Sequence, residues 1–334
     1  MGTEPTVDQG AEADADDATP RPLPRQIHQL RWRTWRGILW RSVNGYLDDD
    51  CGDYAAAMTY NGVLAIVPSL IVVVALVNLV SDGPTVVDAV VDILTDLGAG
   101  SIVGNNDLRT VLDALLLRDT SAGALLSFGL LGALWSVSGF VAAFTRASNV
   151  IYHVREGRAW WKLRPLQLGL SAVALILLAA AGVGLVISGP LVDAVGDRFG
   201  FGETARSFWS IGRWPVLVAI ATTLLSLLFW IAPNVKQPRF RWLTLGGSVA
   251  LVAWTIVSFG FGLYVANFGS YDRTYGSLGA VIAFLVWLYL SNSALLLGVQ
   301  VNAEVQRGRL RQAGDPDPET PLAPRFKAEE DGQS

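Results

Sequence analysis

The sequence predicts an all-α, polytopic membrane protein. It is expected to have six transmembrane helices, an N-terminal interfacial helix and short amphipathic outer helices. Three observations carry that prediction. Of 334 residues, 51% are hydrophobic and only 16% charged, against about 25% charged in an ordinary soluble chain. The apolar residues gather into blocks that reach the ~20 residues a bilayer crossing takes. The basic residues fall mainly between alternate blocks, as the positive-inside rule requires.

The blocks run over 55–80, 122–145, 168–189, 214–232, 243–266 and 278–300. The first carries Tyr60, Asn61 and Pro68; a proline is tolerated there because neighbouring helices can satisfy the carbonyl it frees. The third has Ser171 and Ser188 as its only polar side chains. The fourth stops at Ala232-Pro233-Asn234, where proline disfavours further helix. The sixth opens on Gly276 and Gly279, small residues that let helices approach closely.

The stretches between and around the blocks read differently. Residues 27–47 mix Trp35, Ile38, Leu39 and Val43 with Arg31, Arg33, Arg36 and Arg41, the pattern of a helix lying in the membrane interface. In the outer segment 81–121, Asp88, Asp92 and Asp96 recur every four residues opposite valines and leucines, which predicts a short amphipathic helix. A second such helix is expected from about Asp107 to Leu117. Residues 1–24 and 312–334 each hold six acids, against Arg21 in the first and Arg325 and Lys327 in the second. Neither stretch has apolar periodicity, so both are expected as disordered tails around a membrane domain spanning 25–311. No secretory signal peptide is read at the N-terminus.

Of 25 lysines and arginines, 19 fall on the side that also holds both chain ends and 6 on the other. This predicts cytoplasmic N- and C-termini. One cysteine and two histidines exclude disulfide scaffolds and ordinary zinc sites. Neither a P-loop nor a GxSxG elbow occurs, so no catalytic residue, metal or cofactor is expected, and no enzyme. The expected partners are the bilayer with its anionic cytoplasmic headgroups, and an amphiphilic small-molecule substrate. Arginine clusters beside membrane spans are accounted for by topology, so no nucleic acid is expected.

Polar groups inside a membrane are costly and mark candidate sites. Ser138, Thr145, Asn149 and Tyr152 share one helical face ahead of Arg155, Glu156 and Arg158. Tyr289, Ser293, Gln300 and Glu304 form a similar stripe on the sixth block, and Asp53 shares a face with Tyr60 on the first. Each stripe has two readings: the wall of a hydrophilic cavity, or hydrogen bonds that lock helices together. Glu304, at the boundary, suits pairing with an arginine. Asp53 suits a helix N-terminus, where its charge complements the dipole.

Four motifs resemble the YihY/BrkB family of inner-membrane proteins. They are Asp53-Tyr-Ala-Ala-Ala-Met-Thr-Tyr60 leading to Pro68, and Phe144-Thr-Arg-Ala-Ser-Asn149 through Tyr152 to Arg158. Then come Ile231-Ala-Pro-Asn234 through to Gly247, and Tyr275-Gly-Ser-Leu-Gly-Ala280 through to Glu304. They follow in matching order over about residues 35–310, with Gln300 where the family ending leads one to expect an acid. The resemblance implies a six-helix protein of the bacterial inner membrane. It implies links to envelope integrity or virulence and a transport role, in a family that long carried a ribonuclease BN label. An RNA hydrolase needs a general base or metal ligands outside the lipid, and this sequence gives that label no support. The residues and the resemblance together point to a transporter or lipid-handling permease without its own ATPase, with a non-transporting envelope scaffold as the rival reading.

Overall fold

The computed structural model describes residues 32–78, 122–186, 202–237, 244–267, 277–313 and 324–327. They form seven helices: α1 (Trp32–Asp48), α2 (Cys51–Asn78), α3 (Ala122–Ile151), α4 (Trp160–Val186), α5 (Gly202–Ile231), α6 (Leu245–Asn267) and α7 (Ser277–Ala313). Among the described residues there is no strand, only an isolated antiparallel bridge between Val235 and Pro324. Five helices supply an apolar stretch able to cross a membrane: Gly129–Ile151, Trp160–Gly182, Ile211–Ile231, Leu245–Tyr264 and Val281–Ala313. The expected span 55–80 falls on α2, which stays helical across Pro68 but is not among those five. The structure therefore supports five crossings and leaves the sixth as a sequence expectation. The outer segment 81–121, Gly276 and the stretch 1–24 lie outside the described residues.

Helices outrun the apolar blocks at the basic end. The second block continues to Ile151, and the sixth to Ala313 in a helix of 37 residues, about 55 Å long at 1.5 Å per residue. Hydropathy marks only the part needing lipid. Gln, Glu and Arg beyond it are good helix formers in water, so the helix has no reason to stop there.

The centre of the bundle is α2, α3 and α7, with α4 flanking α2 and α3, α5 outside α4, and α6 laid along α7. Its core mixes small and large side chains: Ala55, Ala133, Ala147 and Ala303 let backbones approach, while Met58, Phe144 and Leu296 fill the space between. Phe144 stacks on Phe229 with centroids 5.8 Å apart. At Gly246 and Gly298 the backbones of α6 and α7 nearly touch; a Cβ built on Gly246 would sit 2.0 Å from the Gly298 carbonyl oxygen. Asn302 completes this contact, accepting from Gly246 N at 2.8 Å and donating to Thr244 Oγ1 at 3.1 Å.

α1 runs antiparallel to the C-terminal half of α7. Thr34 bonds Gln312, Ile38 packs over Gly308, Arg41 pairs with Glu304, and Gly45 faces Gln300. Ile38 and Ser42 are buried against α7, whereas Leu39, Trp40, Val43 and Leu47 form an exposed stripe.

Burial is uneven along the bundle. On α5 nothing between Ile211 and Leu225 is buried; the same holds for α6 from Leu251 to Tyr264, and for the described side chains of α7 from Gly279 to Ser291. Past those points, toward Ala232, Gly246 and Arg307, the helices close together.

Candidate functional site

The closed end of the bundle holds three linked polar networks. The first surrounds Glu156. Leaving α3, the chain turns through a Schellman motif: His153 N bonds Val150 O at 2.8 Å and Val154 N bonds Asn149 O at 2.9 Å. His153 takes the left-handed position with φ 54°. The turn brings Glu156 back under Asn149, whose Nδ2 donates to Oε2 at 2.9 Å. Arg158 grips the same carboxylate, Nε to Oε1 and Nη2 to Oε2, both at 2.7 Å. It also donates to the last carbonyls of α5, Ile231 at 3.3 Å and Ala232 at 2.6 Å. Burial alone would raise the Glu156 carboxyl, but its hydrogen bonds and charge contact with Arg158, with help from Asn149, hold it below the ordinary carboxylate range. Asn149 Oδ1 accepts from Asn234 N at 2.7 Å, so α3 and the end of α5 share one bonded set.

The second network centres on Glu304, which is 3% exposed. It accepts from Arg41 Nε at 2.9 Å, Arg307 Nη1 at 2.8 Å and Arg311 Nη1 at 3.3 Å. Such burial is tolerable because the charge is paired and hydrogen-bonded. Arg307 Nη2 donates onward to Ile151 O at 2.8 Å, capping α3. Tyr152, buried beside it, has its phenol pushed above the ordinary range by burial, while Arg307 pulls it the other way.

In the third network, Asp49 meets His153 Nε2 at 3.2 Å and Gln300 Nε2 at 3.1 Å. Gln300 is fully buried, and its Oε1 has no partner among the described residues. Ser293, two turns before Gln300 on α7, donates to the Tyr289 carbonyl at 3.0 Å, and Tyr289 faces Gly52.

The sequence candidates divide accordingly. Asn149, Tyr152, Arg158, Asn234, Gln300 and Glu304 gather at the closed end. Arg155 joins them through its carbonyl, bonded by Asn234 Nδ2 at 2.9 Å, while its side chain is exposed. Pro233 is buried beside Asn234. Ser138 and Thr145 spend their hydroxyls on their own helix, on Trp135 O and Val141 O. Asn61 bonds Ala57 O and lies against Gly139. Asp53 and Tyr60 are exposed, Pro68 and Gly279 half-buried. Asp49, Arg41 and Arg307 were not read from sequence as site residues, because only their tertiary partners distinguish them from other boundary charges. Asn292, which donates to Thr59 Oγ1 at 3.0 Å between α7 and α2, stands beside the predicted stripe.

The C-terminal stretch read as disordered needs one correction. Pro324–Lys327 is fastened to this end by Asn234, which its acid- and proline-rich surroundings did not suggest.

Residues 42–322 match the family described as virulence factor BrkB. The chain belongs to that family. Among curated relatives, YfkH of Bacillus subtilis, which carries a ribonuclease-like name, is 35% identical over 182 residues, 54% of this chain and 66% of that protein. A UPF0761 membrane protein of Rhodospirillum centenum is 28% identical over 287 residues, 83% of this chain and 60% of its own. Another from Psychrobacter sp. is 25% identical over 281 residues, covering 80% and 48%. The chain thus spans less than two thirds of these relatives' own length. No solved structure matches. This BrkB family chain is an integral membrane protein with several apolar helices.

Proposed function

We propose that this BrkB family protein is a permease of the bacterial inner membrane that passes amphiphiles across the bilayer, with both termini cytoplasmic and no ATPase or other catalytic activity of its own. One observation supports the reading above others: α5, α6 and α7 bury side chains at their polar end and bury none over their apolar halves, where α6 and α7 meet through partly exposed side chains such as Trp254, Ser258 and Trp287. That division matches an amphiphile, whose apolar tail suits the open halves and whose charged head suits the basic end. Lys162 and Arg164, exposed beside exposed Trp160 and Trp161, suit an anionic headgroup at the interface.

A scaffold for envelope assembly has its own supporting observation. Asn149, Asn234, Gln300 and Glu304 all bond across elements, as residues serving only to lock a bundle would. The deciding experiment is dithionite quenching of fluorescently labelled phosphatidylglycerol in proteoliposomes. A permease takes quenching beyond the outer leaflet, and Lys162→Glu with Arg164→Glu slows it about fivefold per charge, at roughly 1 kcal/mol for each basic residue near an anionic surface. Quenching that stops at the protein-free level, for labelled phosphatidylglycerol and phosphatidylethanolamine alike, overturns the permease and leaves the scaffold.

A further inference from the structure

The loops 152–159 and 232–237 form a groove at the closed end, and four residues of the chain's own tail fill it. We infer that this groove is a receptor for Pro324–Lys327, and that the tail is a latch tying the α3–α4 connection to the end of α5.

The docking uses the tail's main chain, held at Phe326 by the Asn234 side chain and at Arg325 by the Asn234 carbonyl. Asn234, fully buried, spends both ends of its amide on the joint: Nδ2 donates to Phe326 O at 2.8 Å and to Arg155 O at 2.9 Å, and Oδ1 accepts from Phe326 N at 3.0 Å. Arg325 N donates to Asn234 O at 3.1 Å, and the Val235–Pro324 bridge extends the pairing. The side chain of Arg325 lies over Trp230, 5.6 Å from its ring centroid. Gly157 completes the groove, since a Cβ there would stand 2.1 Å from Phe326 O; only glycine leaves room for the tail.

The latch is separable from the groove. Gly157, Asn234 and Val235 lie inside the stretch matched to the family, which ends at residue 322, two residues before the latch begins. The ten residues joining Ala313 to Pro324 reach at most about 36 Å, and this short tether keeps the tail at high effective concentration beside its groove. Arg158 and Asn234 tie α5 to the α3–α4 loop directly; the seated tail adds a third element, bonded to Asn234 on the α5 side and packed by its main chain on Gly157 of the loop. Burial, with the charge of Arg158 as the lesser cause, lowers the Arg325 pKa from its ordinary value.

The test is hydrogen–deuterium exchange on the full chain in nanodiscs. In the wild type, the Arg325 and Phe326 amides should exchange at least tenfold more slowly than in Gly157→Ala, which occupies the tail's space; the Arg325 amide should show the same difference against Phe326→Pro, which has no amide at 326 and so removes one donor from the tail alone. Protection of α3 and α5 should not change in Phe326→Pro, so a folding defect in Gly157→Ala cannot mimic the result. A wild-type tail exchanging at the unprotected rate overturns the latch, as does unchanged tail protection in both variants. In a Cys51→Ser background, oxidation of Val235→Cys with Pro324→Cys should close a disulfide within one chain; a disulfide joining two copies overturns the assignment of the groove to the chain's own tail. Failure of the lipid assay would leave these results untouched, so the latch and the permease stand or fall separately.

Discussion

Arg307, near the end of α7, donates to the carbonyl of Ile151 at 2.8 Å and so closes the end of α3. Arg158 does the same for α5 at Ala232. In both, a buried guanidinium meets terminal helix carbonyls on one side and a carboxylate on the other. The cation thereby satisfies the helix dipole without standing unpaired in a dry site.

Arg307→Gln should lower stability by about 3 kcal/mol, since truncating one member of a buried, bonded charge set leaves the rest uncompensated. Arg164→Gln, on an exposed side chain, should stay within roughly 0.5 kcal/mol of wild type. Unfolding in detergent, followed by tryptophan fluorescence, separates the two; equal losses would remove the energetic case for the network.

Gly246→Ala and Gly298→Ala each add a methyl where the opposing group is backbone, 2.0 and 2.5 Å away. Backbone cannot swing aside as a side-chain tip can, so each should cost on the order of 1–3 kcal/mol. Gly169→Ala, in open space on α4, should be neutral or slightly stabilising. Thermal transitions of the three purified variants check the ranking.

The carboxyl of Glu156 is held below the ordinary range in the folded protein. Its contribution to stability is therefore fully present above the unfolded carboxylate pKa, about 4.3. It is lost as the pH falls through the lower native value. A series of unfolding temperatures from neutral pH down past 4 should show a fall in the wild type that is shallower in Glu156→Gln. Parallel curves would mean that the ionised carboxylate stabilises nothing.

His153 sits at φ 54° in the turn that ends α3. Asn tolerates the left-handed region and a β-branched residue does not. His153→Val should thus be less stable than His153→Asn by about 1–2 kcal/mol, although both remove the imidazole facing Asp49. Chemical denaturation in detergent reads the difference directly.

Much of this arrangement was legible in the sequence because the bilayer imposes length and polarity on each crossing. Asn149 and Glu304 stood out as polar groups at helix ends. Ser138 and Thr145 stood out equally, yet their hydroxyls fold back on their own helix, an option periodicity cannot distinguish from a site. The cluster of Asp49, His153 and Gln300 joins residues 104 and 251 positions apart, and nothing local in any of the three marks the others. Arg41 and Arg307 registered only as topology charges. The grip on Phe326 was hidden by composition: acids and prolines predict a tail without a core, and this attachment uses main-chain bonds that require none.

The bond between Thr34 and Gln312 brings together two regions at opposite ends of the numbering. The start of α1 is therefore fixed beside the end of α7, and Arg41 from the one and Arg311 from the other meet on a single carboxylate, Glu304. Their positive charges add at one corner of the bundle instead of being divided between distant parts of the molecule. Because such fields fade within about 8 Å at physiological ionic strength, salt should govern how strongly this corner attracts lipid phosphates.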